Sequence, residues 1–205
     1  MDIQLNFINR SYDQNNSSVF LFQKNAASRY DELATAWKVI RNCGQNSHHP
    51  LVYSTDLQAC ISDEYGNYSP RKAVRAGELL TVSALPSGRR FAYAGANSNA
   101  LDTVVRNDLL RGAINVCVYS QDRLLATKTN VAPGQKAIFQ FQPTLWIGAA
   151  AQVVEGRALS SAILNDVNTE FSLQGIASAD IVMSGGGPGR NALPLQFTLE
   201  NIAMA

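Results

Sequence analysis

Apolar and polar residues alternate from the beginning of the chain. Between residues 2 and 8, Ile3, Leu5 and Phe7 are separated by polar residues, which is the period of a strand with one buried face. The run 19–22 is apolar throughout, as is typical of a strand covered on both faces. Because a polar segment separates them, we predict that these two strands form a hairpin with a long connection.

The segment 28–41 admits two interpretations. Ser28 and Asp31 are placed as in a capping box, and apolar residues follow at helical spacing. The same residues also alternate as in a strand, with Trp37 near the centre, and a buried Trp in an early strand is typical of a β-sandwich core. We favour a strand over residues 34–41.

The rest of the chain continues as short runs separated by turn residues. Further strands are predicted at 57–61, 79–84, 90–94, 114–119, 123–129, 136–142, 145–154, 158–164, 170–174, 179–184 and 195–202. We expect 86–88 to close a tight hairpin, and the three strands from 114 to 142 to form a meander.

These patterns predict an all-β protein with about a dozen short strands and at most one or two short helices. Several short strands at this spacing favour a two-sheet antiparallel β-sandwich. Since 205 residues suffice for one core, we expect a single β-sandwich domain over residues 1–205. Strands are predicted near both ends of the chain, at 2–8 and 195–202. A terminal strand at a sheet edge can pair with another copy of the chain.

Composition narrows the classes of partner. Only 16% of the residues are charged and the formal net charge is +1, so no strong field attracts nucleic acid or anionic lipid. The most apolar stretch, 145–154, is shorter than the roughly 18 residues of a membrane-spanning helix. The first residues lack the pattern of a secretory signal. We expect synthesis in the cytoplasm, with export by a leaderless route left open.

Few residues carry obvious chemistry. Cys43, Cys60 and Cys117 are widely spaced and odd in number, which favours reduced, buried thiols over a disulfide framework. His48 and His49 are the only histidines, and in an extended segment their rings point to opposite sides. Cys43 with His48 gives too few ligands for zinc, so we expect no metal and no cofactor.

Acidic residues give no stronger indication of a site. The loop 13–17 offers oxygen atoms that could hold calcium, but it lacks the Gly and the bidentate Glu of the specific twelve-residue loop. The other carboxylates are scattered, and nothing in the sequence brings two of them across a cleft for glycoside hydrolysis. These carboxylates are Asp63, Glu64, Asp102, Asp108, Glu155 and Glu170.

A glycine-rich run follows the predicted strand 179–184. It comprises Gly185, Gly186, Gly187, Pro188 and Gly189. A phosphate loop would need a helix and a Lys after the glycines, whereas here a strand is predicted to follow. We interpret the run as a flexible surface loop, with the hypothesis that it is a hinge letting the last strand leave its sheet and pair with a neighbour.

Several tyrosines lie near predicted loops beside Asn, Asp and Ser. The candidate binding residues are Tyr65, Asn67, Tyr68, Tyr12 and Tyr53, and Tyr93 is a further tyrosine near a predicted loop. Aromatic rings beside amides can stack on sugars and hydrogen-bond hydroxyls, although tyrosines that only cap the rim of a β-core are the commoner case. The turn around Gly66 carries the best of these candidates.

Three functions remain open from the sequence. The first is a non-enzymatic, self-associating structural or interaction protein, with a homo-oligomer built through strand edges. The second is a recognition module of lectin or toxin type that binds glycan or membrane lipid through the loop tyrosines. The third is an enzyme, for which no residue pattern argues but which the fold permits.

Overall fold

The computed structural model describes residues 2–14, 17–27, 34–167 and 169–205. Within these ranges the chain is all-β, with sixteen strands in four sheets and one short α-helix. The elements are β1 Asp2–Asn9, β2 Ser18–Phe22, β3 Lys38–Ile40, β4 His48–Ser54, β5 Leu57–Ser62, β6 Lys72–Val74, β7 Glu78–Leu85, β8 Gly88–Ala96, β9 Thr103–Asn107, β10 Ile114–Ser120, β11 Arg123–Val131, β12 Lys136–Phe139, β13 Thr144–Ala150, α1 Ser161–Asp166, β14 Thr169–Ser172, β15 Ile176–Gly186 and β16 Leu193–Met204. A single 3₁₀ turn, Gly189–Asn191, precedes β16.

The chain divides into two compact units. The described part of the first unit comprises residues 2–14, 17–24, 34–55, 143–167 and 169–205, and that of the second comprises 25–27 and 56–142. Each unit contains two four-stranded sheets. The expected count of two sheets is therefore wrong, while the single sandwich domain stays a prediction.

In the first unit, β1 lies inside a sheet of order β16-β15-β1-β4, called here the β1 sheet. It runs parallel to β15 and antiparallel to β4. Its apolar residues Ile3, Leu5 and Phe7 are buried, which confirms the alternating pattern. The predicted hairpin with β2 is wrong, because β2 belongs to the second sheet of this unit and pairs with β13 and β3. Local alternation fixes which face is buried but not which strand is the neighbour.

The second sheet of the first unit has the order β14-β13-β2-β3. Strand β2 is covered on both faces, since Val19, Phe20, Leu21 and Phe22 each have 0% of their surface exposed. This confirms the interpretation of its continuous apolar run. On one face, Phe20 and Phe22 pack in a cluster with buried residues that follow β13.

The predicted strand over 34–41 is shorter in the structure. Only β3 is a strand, and Thr35 forms an isolated bridge with Ala158. Trp37 is buried as expected, with its ring edge-on to Tyr53 at 6.4 Å between centroids. The alternative helix would begin at Ser28, in the range 28–33, which lies outside the described residues.

A helix replaces the strand predicted at 158–164. Ser160 accepts a hydrogen bond from the Ile163 backbone N–H at 3.3 Å and so caps the first turn of α1. After α1 the chain enters β14 rather than continuing an extended run. The sequence contained this signal in Ser160, but the apolar residues around it also matched a strand.

The second unit has two sheets, of order β11-β10-β5-β6 and β12-β9-β7-β8. Side chains from both sheets meet in one buried cluster: Ala59, Ile61, Val74, Leu80, Val82, Phe91, Val105, Leu109, Ile114, Val116, Val118, Val131, Ala137 and Phe139. The hairpin of β7 and β8 is confirmed. The predicted meander stops after β11, because β12 pairs with β9 in the other sheet.

Three strands, β4, β6 and β9, were not predicted from the sequence. Strand β4 contains Pro50 and lies at the edge of its sheet, where a residue without an N–H is tolerated. Strand β9 ends at Asn107, whose side chain is fully buried and joins the loop after β9 to the end of β11. Its Nδ2 donates to the carbonyls of Gly112 and Val131 at 3.0 and 2.9 Å, and its Oδ1 accepts from the Leu109 N–H.

Candidate functional site

The last strand, β16, forms one edge of the β1 sheet. It is twelve residues long and, among the described strands, it is hydrogen-bonded only to β15. Its apolar residues Leu195, Phe197 and Leu199 alternate with polar ones and are only half-buried. Strand β1, by contrast, has neighbours on both sides. Of the two terminal strands singled out by the sequence, only β16 therefore offers a strand edge.

The two ends of β16 are protected against pairing, but its middle is not. Pro194 lacks an N–H near the beginning of the strand. Near the other end, Asn201 has a positive φ of 49°, and the pairing register with β15 shifts there, as in a β-bulge that bends an edge away. The segment between these features, residues 195–200, contains no Lys or Arg. We call residues 195–200 the open edge.

A cavity of about 290 Å³ lies in the first unit behind the open edge. Its walls include Phe20, Gly148, Val167, Leu195 and Phe197. A Cβ on Gly148 would lie 2.6 Å from Val167 Cγ2 and 2.8 Å from Phe20 Cζ, so no side chain fits at this position. Because the cavity adjoins Leu195 and Phe197, these two side chains are incompletely packed on its side and stay half-buried.

The outer face of the β1 sheet carries a polar network. Asp180 and Glu200 are directly opposite on β15 and β16, an arrangement of like charges that is unfavourable unless it is compensated. The hydrogen bond from Asn201 Nδ2 at 2.7 Å, followed by that from Asn6 Nδ2 at 3.1 Å, lowers the pKa of Asp180. Arg10 pairs with Glu200 at 3.0 Å. This network stabilises the pairing of β16 with β15.

The two histidines lie on β4, where consecutive side chains point to opposite faces. Nδ1 of His48 is 3.4 Å from Asn6 Nδ2, beside the polar network. The ring of His49 packs against Phe7 with centroids 6.2 Å apart, and its Nε2 is buried without a hydrogen-bond partner in the structure. Among the described residues, no group of three or more His, Cys, Asp or Glu side chains is placed to hold a metal ion.

The glycine-rich run is packed more tightly than a flexible loop. Gly185 and Gly186 belong to β15, and Gly186 forms a parallel bridge with Tyr12. The N–H of Tyr12 donates to the carbonyl of Gly185 at 2.8 Å, and the N–H of Gly187 donates to the carbonyl of Tyr12 at 2.9 Å. A Cβ on Gly185 would lie 2.2 Å from the Pro194 carbonyl oxygen. Close backbone approach therefore requires glycine here, and the proposed hinge motion stays a prediction.

Two candidate tyrosines in the first unit have different environments. Tyr12 has 64% of its surface exposed. Tyr53 has only 2% exposed, and its hydroxyl lies 3.4 Å from Gln23 Oε1. The expectation that Tyr53 lies at a surface loop is wrong, because β4 directs this ring into the core of the first unit.

The turn after β5 presents two exposed rings in the second unit. Asp63 organises it: one carboxylate oxygen accepts from the N–H groups of Tyr65 and Asn67, and the other accepts from Asn67 Nδ2 at 3.0 Å. Arg89 lies 3.8 Å away. The hydrogen bonds from Asn67, then that from Tyr65 and the charge of Arg89, lower the pKa of Asp63. Asn67 is thus a positioning residue rather than a free ligand donor.

The exposed fractions of Tyr65 and Tyr68 are 80% and 64%, and Tyr93 on β8 is 61% exposed. A turn fixed by its own hydrogen bonds presents such rings with little loss of entropy on binding. The sequence correctly indicated this turn as a place for exposed aromatic rings. The ligand-binding role of Tyr65 and Tyr68 stays a prediction.

Two of the other candidate carboxylates, Asp108 and Glu155, form contacts within the local structure. Asp108 forms two hydrogen bonds with Arg106, at 2.6 and 2.9 Å, and Glu155 accepts from the Val39 N–H at 3.1 Å. In the candidate calcium loop, Asp13 accepts from the Ser17 N–H at 2.7 Å. Asn15 and Asn16 of that loop lie outside the described residues.

Comparisons with protein-family models, with curated proteins and with solved structures find no match to this chain. No helix among the described residues is long and apolar enough to span a bilayer. The open edge and the exposed tyrosines are therefore the features of this chain that bear on its function.

Proposed function

We propose that this chain is a non-enzymatic, self-associating structural or interaction protein, in which the open edge of β16 pairs antiparallel with the open edge of a second copy. The observation that carries this proposal is the position of β16 at the end of the β1 sheet. An edge without Lys or Arg is a template for a further strand. Strand β1 takes no part in this pairing, since both its edges are occupied.

The open edge is complementary to itself when two copies pair about a two-fold axis through Thr198. In that register Thr198 faces its own counterpart, and Phe197 faces Leu199 of the second copy. Gln196 faces Glu200, so that an amide donor meets a carboxylate. The two Glu200 side chains are then separated by the length of four residues, roughly 13 Å. Each of these pairs is favourable in antiparallel sheets, by roughly 0.2–1 kcal/mol.

Overall charge and side-chain burial also favour a second copy as the partner. The net charge of +1 gives little repulsion between copies. Phe197 and Leu199, which face each other in this register, are half-buried in the single chain, and completing the burial of such side chains contributes roughly 1 kcal/mol each, half of the full value. A two-fold interface gains each of these contributions twice.

Light scattering across a dilution series tests the association, and a cysteine pair tests its register. In the proposed dimer the two Thr198→Cys residues have Cα atoms roughly 4.5–5.5 Å apart, within the range of a disulfide. We expect Thr198→Cys to form a covalent dimer on mild oxidation. Gln196→Cys is the matched control, because the two Cys residues would be roughly 13 Å apart.

Two results would contradict the proposal. The first is that the wild-type chain stays monomeric up to about 1 mM, a concentration at which even weak association is detected. The second is that Gln196→Cys cross-links as efficiently as Thr198→Cys, which would indicate that the disulfides form by random collision. As a further check, Thr198→Lys places two like charges directly opposite and should shift the population toward monomer.

A second candidate function is recognition of glycans or membrane lipid by the Tyr65 turn. The observation in its favour is that Asp63 holds the turn in place while Tyr65 and Tyr68 remain exposed. Replacing both tyrosines by Ala should abolish binding in a glycan array or a liposome sedimentation assay without lowering stability. Tyr93→Ala is the control, and loss of binding in that variant too would remove the case for the turn.

A further inference from the structure

Two of the three cysteines face each other across neighbouring strands of the second unit. Cys60 on β5 and Cys117 on β10 are directly opposite in an antiparallel register. The residues flanking them, Ala59 and Val118, point into the core cluster of this unit. Both thiols therefore lie on the other face of the sheet, where they are buried and are not joined by a disulfide.

This register satisfies the geometry of a disulfide without movement of the backbone. Directly opposite residues of antiparallel strands have Cα atoms roughly 4.5 or 5.5 Å apart, depending on the hydrogen-bonding position. Disulfides span Cα separations of roughly 4.4–6.8 Å. Rotation about the two Cα–Cβ bonds is then enough to bring the sulfur atoms together.

Polar and cationic groups surround the two thiols. Thr127 Oγ1 lies 3.7 Å from Cys117 Sγ and donates to it. The Tyr119 hydroxyl lowers the pKa of both cysteines, and the Arg71 guanidinium lies 3.7 Å from the centroid of the Tyr119 ring. Arg71 is itself 38% exposed and pairs with Asp122 at 3.1 Å. The partly exposed Arg71 side chain thus packs on the ring of Tyr119, which follows Cys117 by two residues on the same face of β10.

The two thiols are not equivalent. The hydrogen bond from Cys60 lowers the pKa of Cys117, and the Thr127 and Tyr119 hydroxyls lower it further. The pKa of Cys60 is raised, first because it holds the proton shared with Cys117 and then because it is buried. Of the two thiols, Cys117 is therefore the one that ionises more readily, as an attacking thiol requires.

We propose that Cys60 and Cys117 form a dithiol site that low-molecular-weight disulfides oxidise to a cross-strand disulfide. The Cys117 thiolate attacks one sulfur of the small disulfide, whose S–S bond breaks and releases one thiolate. Cys60 then gives up its proton to solvent and attacks Cys117 Sγ, which releases the second thiolate. Two protein thiols are oxidised, and one small disulfide is reduced to two thiols.

The test uses the folded chain and glutathione disulfide as the probe. After incubation, free thiols are alkylated and the protein is digested for mass spectrometry. We expect one peptide pair linked through Cys60 and Cys117, with Cys43 alkylated as a free thiol. Cys43 is the internal control, because burial raises its pKa to about 11. Equal reaction of all three cysteines, or no reaction in the folded protein, would overturn the proposal.

Single variants distinguish the attacking thiol from the resolving one. Cys60→Ser should stop the reaction at a stable mixed disulfide on Cys117. Cys117→Ser should slow modification by roughly tenfold or more, because the remaining thiol is mostly protonated near neutral pH. Cys43→Ser is the matched control and should leave the rate and the product unchanged. If Cys60 is modified as fast as Cys117, the assigned order is wrong.

Discussion

Replacing Gly185 by Ala tests whether the glycine-rich run is a site of tight packing. Gly185 has a φ of 91°, which side-chain-bearing residues rarely adopt. Its added Cβ would also meet the Pro194 carbonyl oxygen at 2.2 Å, a contact that requires the backbone of the neighbouring strand to shift. The substitution therefore perturbs the beginning of β16 as well as its own residue.

The expected cost has two parts. Forcing Ala into a left-handed conformation costs roughly 1–2 kcal/mol. Displacing a packed backbone atom costs roughly another 1–3 kcal/mol. We therefore expect Gly185→Ala to lower the free energy of unfolding of the first unit by about 3 kcal/mol. At about 4 °C per kcal/mol, the melting temperature should fall by about 12 °C.

Tryptophan fluorescence during heating is a suitable assay. The chain has two tryptophans, Trp37 and Trp146, and both lie in the first unit with Gly185. Gly187→Ala is the matched control: its φ is also positive, at 121°, but its Cβ would lie 3.6 Å from Ala192 Cα, an ordinary contact. In Gly187→Ala the free energy of unfolding should fall only by the cost of the left-handed conformation, about 1.5 kcal/mol.

A melting temperature for Gly185→Ala equal to that of Gly187→Ala would refute the reasoning. It would mean that the chain around Gly185 yields without cost, as a flexible hinge does. Gly44→Ala is a second control, because nothing lies within 4 Å of its Cβ and its φ is not positive. That variant should be at least as stable as the wild type.

Three further predictions concern stability. Burial raises the pKa of Cys43 from 9.0 to about 11 and that of Tyr53 from 10.0 to about 12. Between the two values of each group, only the unfolded chain ionises. The free energy of unfolding of the first unit should therefore fall by about 1.4 kcal/mol per pH unit above pH 9 because of Cys43, and by a further 1.4 kcal/mol per pH unit above pH 10 because of Tyr53. Tryptophan fluorescence melts between pH 8 and pH 11 measure this loss, and Tyr53→Phe should remove its contribution. Asn107→Ala leaves two carbonyls and one N–H without their partner and should destabilise the second unit by about 3 kcal/mol, measured by hydrogen exchange of its amides; full protection in the variant would count against that role. Ser160→Ala should cost about 1 kcal/mol through loss of the helix cap, measured by the melting temperature.

Features set by neighbouring residues could be predicted from the sequence. The buried faces of β1 and β2 follow from their apolar patterns, since a strand places alternate side chains on opposite faces. The hairpin of β7 and β8 follows from a short turn. The burial of all three cysteines was also predicted correctly, because thiols are apolar enough to enter a core.

Features that depend on distant residues could not be predicted. Strand β1 pairs with β15, more than 160 residues along the chain, and no local pattern encodes that choice. The same holds for the opposition of Cys60 and Cys117, which a register shift of one residue would abolish. The strand predicted for residues 158–164 was wrong, because Ile163 and Leu164 of α1, with Val167 after it, pack against the cluster that contains Phe20 and Phe22.

The sequence by itself determined the fold class, the buried faces of most strands and the exposed tyrosines beside Gly66, because these depend on side-chain polarity and on turn residues close in the chain. Tertiary structure alone decided the order of strands in the four sheets. It placed β1 inside a sheet and β16 at an edge, buried Tyr53, and brought two thiols into register. The physical reason is that hydrogen bonding between strands is the same for every pair of backbones, so only the packing of whole sheets selects partners and register.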